Sequence, residues 1–208
     1  GSEMCIRDRI SPMIILDPGK SQFIWNGGLK FGPKTHNGKL RLLNGNINLD
    51  NQNISGDVVI NMLSLTNSEL VGTSSERLVG HLRSADFFDV EKYPTAKLSI
   101  ENSKIIEKLN DGKYKMLIDG DMTIKDKTNA ISFEAIVDLN SNVKTAEGKL
   151  SFDRSTFNVQ YRSEMHLGNP NSFWNKVQTS RDAAKDKVIR DMIEIDFNVV
   201  SLPGMLSK

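Results

Sequence analysis

Between Tyr114 and Ile124 the chain alternates: Tyr114, Met116, Ile118, Gly120, Met122 and Ile124 fall on one parity, and Lys115, Leu117, Asp119, Asp121 and Thr123 on the other. A period of two sets every second side chain on one face of an extended backbone, whereas a helix would scatter the apolar set around its circumference. The segment is therefore a β-strand with one apolar and one mostly polar face. It opens after Asp111-Gly112, a dipeptide suited to the left-handed backbone of a tight hairpin turn.

The alternation recurs along most of the chain. Phe23 and Trp25 share a face, as do Val58, Ile60 and Met62, then Ala96, Leu98 and Ile100. After the clearest strand come Ile131, Phe133, Ala135 and Val137, then Ala146, Gly148, Leu150 and Phe152, and finally Ile193, Ile195, Phe197 and Val199. Leu40 and Leu42 are continued by Ile47 and Leu49 on the opposite parity, so a bulge or bend is expected at Gly45. The fold class is all-β, with about eight antiparallel strands. Such strands stack as a sandwich or close into an up-and-down barrel, and closure removes unpaired edges. Periodicity leaves both open.

Two regions break the pattern. Thr73 and Glu76 have capping-box spacing, after which Leu78, His81, Leu82 and Ala85 share one side of a short helix that Pro94 stops. Ser84 is read as a cap at its end. From Ser163 to Lys187 the chain carries Asn169-Pro170, Phe173-Trp174 and an Ala/Lys/Asp-rich run that predicts a second helix.

Composition removes several function classes. The 27 basic and 26 acidic side chains are interspersed, so no basic stripe supports nucleic-acid binding. No run approaches the roughly 20 apolar residues of a membrane-spanning helix. His36 and His166 lie in turn-like contexts without a ligand partner at metal-binding spacing, so no metal is expected. No nucleophile elbow, phosphate-cradling glycine loop or Cys-His pair appears, and no catalytic residue or cofactor is assigned. The single Cys5 rules out an intramolecular disulfide. Residues 1–12 read as a non-native or disordered segment, 13–202 as one domain and 203–208 as a C-terminal tail.

The least generic stretch is GHLRSADFFDVEKYP, Gly80 to Pro94, followed by the strand TAKLSI; its layout suits a plug laid across a barrel. With Trp25, DGDMTIKDKTNAISFEA and FDRSTF in the same order, the chain from about Ile14 to Val200 resembles the YceI-like family of lipid- or polyisoprenoid-binding proteins. The resemblance implies a lipocalin-like β-barrel of about eight strands, with one or two short helices in the connections. It implies a non-enzymatic carrier or store for an amphiphilic lipid: a polyisoprenoid, an isoprenoid quinone or a fatty-acid derivative. It also implies a periplasmic or secreted location in a bacterial cell envelope, the signal peptide being absent from this chain, and allows a homodimer. The 163–187 segment is longer than the family's usual connection.

An eight-stranded barrel is filled by its own side chains or holds one ligand. Flexible Met and aliphatic Ile on the inner face, with Gly120, Ala135, Ala146 and Gly148 as small positions, leave room for a slender apolar molecule. The plainer reading is that these residues pack against one another. The expected lining comprises Phe23, Trp25, Ile60 and Met62 from the early strands, and Leu78, His81, Leu82, Phe87 and Phe88 from the plug. Leu98, Met116, Ile118, Met122, Phe133, Phe152 and Phe197 complete it.

Arg154 shares a parity with Phe152 and Thr156, so it too is expected inside. Its partner is either a ligand phosphate or polar head, or an internal carboxylate such as Asp86 or Asp89. His81 either hydrogen-bonds a ligand head or closes a backbone contact. Phe87, Phe88 and Tyr93 form a knuckle that locks the helix to the barrel, and Trp25 anchors the core. Two other readings are an enzyme using His81 and Arg154 on a lipid or quinone, and a solid-core barrel presenting loops to a partner.

Overall fold

The computed structural model describes residues 13–31, 33–166 and 188–204. Nine strands run β1 Met13–Ile15, β2 Gln22–Gly28, β3 Thr35–Asp50, β4 Asn53–Asn61, β5 Thr95–Lys108, β6 Lys113–Ile124, β7 Lys127–Asp138, β8 Thr145–Asp153 and β9 Met192–Val200. Among the described residues one α-helix, α1, spans Gly72–Arg83. Every strand pairing is antiparallel. The ring runs β3, β2, β9, β8, β7, β6, β5, β4 and closes where β4 pairs with β3. The fold is therefore a closed eight-stranded barrel with one extra strand, not a sandwich.

The extra strand is β1. It pairs with the second half of β3, Ile14 opposite Ile47, while β2 occupies the first half, Phe23 opposite Leu40. Three residues, Met-Ile-Ile, are too few to show a period.

The strand that anchors the sequence reading is β6, whose inner residues are buried at every second position. Its register with β7 runs unbroken from Lys113 opposite Asp138 to Ile124 opposite Lys127. Asp111 and Gly112 adopt φ of 59° and 75°, the left-handed turn that their identity favours. The parity slip in β3 lies at Leu43, where the register with β4 shifts between Leu42 and Asn44. Leu43 points outward and exposed, so the bulge lies two positions before the expected Gly45.

The small inner positions differ from expectation. A Cβ on Gly120 would lie 2.2 Å from the Ser99 carbonyl, so this glycine admits the neighbouring strand rather than opening a void. Gly148 is covered by the ring of Phe197, its cross-strand partner. Ala135 is packed. Only Ala146 of the four borders a hollow.

Helix α1 lies over the upper end of the barrel, the end that also carries the β6–β7 turn. No capping box forms: the N-cap is Val71, without a side-chain bond, and Thr73 and Glu76 are both exposed within the helix. The helix ends at Arg83, so Ala85 is outside it and exposed, and Pro94 introduces β5 rather than stopping α1. Ser84 does cap the end, its Oγ donating to the His81 carbonyl at 2.8 Å. The chain then doubles back, the Phe88 amide donating to the Leu82 carbonyl at 3.1 Å and the Val90 amide to that of Arg83 at 3.0 Å. Arg83 Nη2 ties α1 to the carbonyls of Leu63 and Leu65 at 2.8 and 2.7 Å. The plug is thus hydrogen-bonded into place. The expected second helix, Asn169-Pro170, Phe173-Trp174 and Cys5 lie outside the described residues.

Candidate ligand-binding site

Two hollows lie end to end inside the barrel. The upper, about 290 Å³, sits beneath α1; the lower, about 100 Å³, lies toward Lys144 and Thr145 at the other end. Both are walled almost wholly by hydrocarbon.

Their position follows from an asymmetry in packing. The inner residues of β6 are buried, Met116 completely, whereas Ile60 of β4, Ala96, Leu98 and Ile100 of β5, and Ile195 and Phe197 of β9 stay half-exposed although they face inward. An inward side chain with surface left over borders space, because well-packed interiors leave few voids larger than a water. The hollow therefore lies against β4, β5 and β9.

Most of the expected lining is brought together. Trp25, Ile60, Met62, Met122 and Phe152 wall the upper hollow from the strands. Leu78, His81, Leu82, Phe87 and Phe88 roof it from α1 and the turn that follows. Ile118, Phe133 and Phe197 line the lower hollow, and Phe23 and Leu98 touch both. Met116 touches neither; it packs among Ile118, Phe133 and Ala135. Tyr93 is outside the lining, its ring carrying the Lys92 ammonium at 5.1 Å.

Arg154 also departs from expectation. Strand β8 ends at Asp153, and the chain enters a 3-10 turn, Arg154–Phe157, in which Thr156 faces solvent. The Arg154 side chain is completely buried and donates to the carbonyls of Arg190 at 3.0 Å, Val159 at 2.6 Å and Ile189 at 3.2 Å. Its charge is met by Asp191 at 3.1 Å, in place of Asp86 or Asp89. It lines neither hollow and is consumed in binding the loop before β9 to the barrel rim. Asp191 is fixed in turn by the Ser163 hydroxyl at 2.7 Å.

His81 closes no backbone contact through Nε2, which is buried without a hydrogen-bond partner among the described residues. Its ring stands edge-on to Tyr161 at 4.4 Å and Phe87 at 5.6 Å between centroids. Burial holds the imidazole below its ordinary pKa, opposed by Asp86 and reinforced by Arg162. A neutral ring with one idle nitrogen thus faces the upper hollow. Of the cations nearby, Lys97 on the wall pairs with Asp57 at 3.0 Å, Lys125 donates to the carbonyls of Phe87 and Asn158 at 3.3 and 3.2 Å, and Arg83 is tied through Nη2 as above, its buried Nε having no partner among the described residues.

Residues missed by sequence reasoning include Leu65, which follows the 3-10 turn Met62–Ser64 and supports Trp25, and Ile189, which precedes β9. Neither belongs to an alternating run. Trp25 Nε1 donates to the Thr66 carbonyl at 2.9 Å, so the indole both walls the hollow and pins this loop.

Comparison with known proteins places this geometry. A crystal structure of BcnA from Burkholderia cenocepacia superposes with a TM-score of 0.60 at 20% identity, covering 90% of this chain and 99% of that one. A polyisoprenoid-binding domain from Saccharophagus degradans gives 0.63 at 14% identity, covering 93% and 100%. The YceI protein of Campylobacter jejuni gives 0.51 at 18%, covering 77% and 81%. At these identities the likeness speaks for the fold. No curated protein sequence matches the chain. The model of the YceI-like domain matches residues 15–201, nearly the whole barrel, and the chain belongs to the YceI-like family.

Proposed function

We propose that the barrel binds one long-chain amphiphile, a polyisoprenoid, isoprenoid quinone or fatty-acid derivative, and serves as its non-enzymatic carrier or store in a bacterial envelope. The observation that carries the reading is a hydrocarbon-walled hollow whose lining presents His81 Nε2, a polar atom without a hydrogen-bond partner among the described residues. Each buried methylene-sized unit of a tail contributes about 0.8 kcal/mol, so the walls suffice for affinity. The head then orients the ligand, tail down the barrel and head at α1. The Saccharophagus degradans relative, named for polyisoprenoid binding, supports the same ligand class.

A neutral imidazole offers a hydrogen bond without charge. That suits a hydroxyl, carbonyl or quinone head better than a phosphate, since the arginine that would pair a phosphate is spent on Asp191. The same commitment of Arg154 weighs against an enzyme using His81 and Arg154 together, and a hollow interior weighs against a solid interaction module.

Native mass spectrometry and solvent extraction of the purified protein test the reading. The expected result is one lipid per chain, with farnesol recaptured more tightly than farnesyl phosphate after delipidation. A ligand-free preparation that rejects both overturns it.

A further inference from the structure

The two hollows have four side chains in common: Phe23, Val58, Leu98 and Leu150 appear in the walls of both. Val58 and Leu98 are cross-strand partners on the adjacent strands β4 and β5. Phe23 on β2 and Leu150 on β8 belong to the other half of the ring, where β8 stands diametrically across from β4. The four therefore form a collar at one level of the barrel. Leu98 and Leu150 pack against the hydrophobic cluster beneath α1 and against the one around Met116, so they stand where the two meet.

This arrangement decides what a tail encounters. The upper compartment is the larger, and His81 lies in its roof, above the collar. A short tail anchored there ends before the collar. A longer one must pass it to reach the lower compartment, walled by Ile47, Ile100, Ala146 and Phe197. Apolar affinity grows with the surface removed from water, so the part of the tail below the collar adds affinity only if the collar lets it through.

Resting on the ligand-binding reading above, we infer that the two hollows are successive compartments of one tail tunnel and that the Phe23–Val58–Leu98–Leu150 collar gauges tail length. The gate is built from side chains. The leucines, each left with surface beside the void, can swing aside for a tail while β-branched Val58 stays fixed, whereas a ring added in place of Leu150 narrows the passage.

The test measures affinity of the delipidated chain for three isoprenoid alcohols: geraniol with two isoprene units, geranylgeraniol with four and solanesol with nine. The readout is the solanesol-to-geraniol affinity ratio, compared between the wild-type chain, Leu150→Phe in the collar and Ala146→Leu in the lower compartment. Both variants are expected to lower the ratio by at least about tenfold, a difference well resolved in dissociation constants. Ala146→Leu guards against a collar variant that fails to fold, because it obstructs the lower compartment from a different strand position. A ratio unchanged in the folded variants overturns the gauge while leaving lipid binding intact. A wild-type chain that takes up none of the alcohols overturns the ligand-binding reading and the gauge with it.

Discussion

Arg154 and Asp191 meet at 3.1 Å at the barrel rim, the arginine completely buried and the aspartate nearly so. Three backbone carbonyls accept from the same guanidinium, those of Ile189 and Arg190 in the return of the chain into β9, which backbone bonds such as Arg190 N–H to the Gly28 carbonyl at 2.9 Å also hold. Removing one member of a buried pair leaves the other charge uncompensated and typically costs about 3–5 kcal/mol. Arg154→Met should therefore lower unfolding stability by about that amount in urea titrations. Asp191→Asn keeps an acceptor for Ser163 but leaves the buried Arg154 charge unpaired, and should be destabilising on the same scale. A near-neutral Arg154→Met would show that the rim is held by other contacts.

Gly38 stands opposite Trp25 in the β2–β3 ladder. A Cβ there would lie 1.8 Å from the Thr66 carbonyl and 2.6 Å from Trp25 Nε1. Backbone cannot yield as a flexible side chain does, so Gly38→Ala should displace the Thr66 loop and break the Trp25 hydrogen bond. With Trp174→Phe as background, Trp25 is the only tryptophan. Its emission should shift to the red and stability should fall by about 1–3 kcal/mol, the usual scale of overpacking.

How far the residues announce this protein differs from element to element. β6 is legible because one face is apolar throughout, and a one-residue slip of such a strand would turn every inner side chain outward. Closure and a plug after β4 follow from the Gly80–Pro94 stretch only through its resemblance to a family. The hollow is harder to read. Parity says that Met116 and Leu98 both point inward, yet one is packed and the other borders space, a distinction set by strand tilt and by neighbours on other strands. Gly120 and Gly148 look like room and are sites of close approach. The Arg154 partner is hidden for a similar reason: Asp191 follows a long connection, and no local pattern links it to the end of β8.

The packing asymmetry has a measurable consequence. Met116→Ala opens a cavity in a filled wall and should cost about 2–5 kcal/mol. Leu98→Ala removes atoms that already face a void and should cost distinctly less in the delipidated protein. With ligand bound, the order should narrow or reverse, because the tail then supplies the contacts Leu98 lacks. Thermal unfolding of both variants with and without farnesol checks this; equal losses in the empty barrel would mean the space beside β5 is filled.

His81 gives the barrel a pH dependence whose sign follows from its environment. Desolvation holds the folded-state pKa below the ordinary 6.5, with Asp86 opposing and Arg162 assisting. The unfolded chain therefore takes up a proton near pH 6.5 while the folded one resists, and the linkage favours unfolding as pH falls from there toward the depressed value. This contribution is fully present above pH 6.5 and is lost on acidification. Protonation would also place a charge in a hydrocarbon roof, against the tail. Farnesol affinity and melting temperature should both decline as pH is lowered from about 7.5 to about 5.5, and His81→Gln, which keeps a hydrogen-bonding amide but cannot titrate in this range, should flatten both profiles. His36, held to Glu69 at 3.2 Å, also borders the upper hollow and is left in place in the variant. Identical slopes in the two proteins would remove His81 from the head-group site.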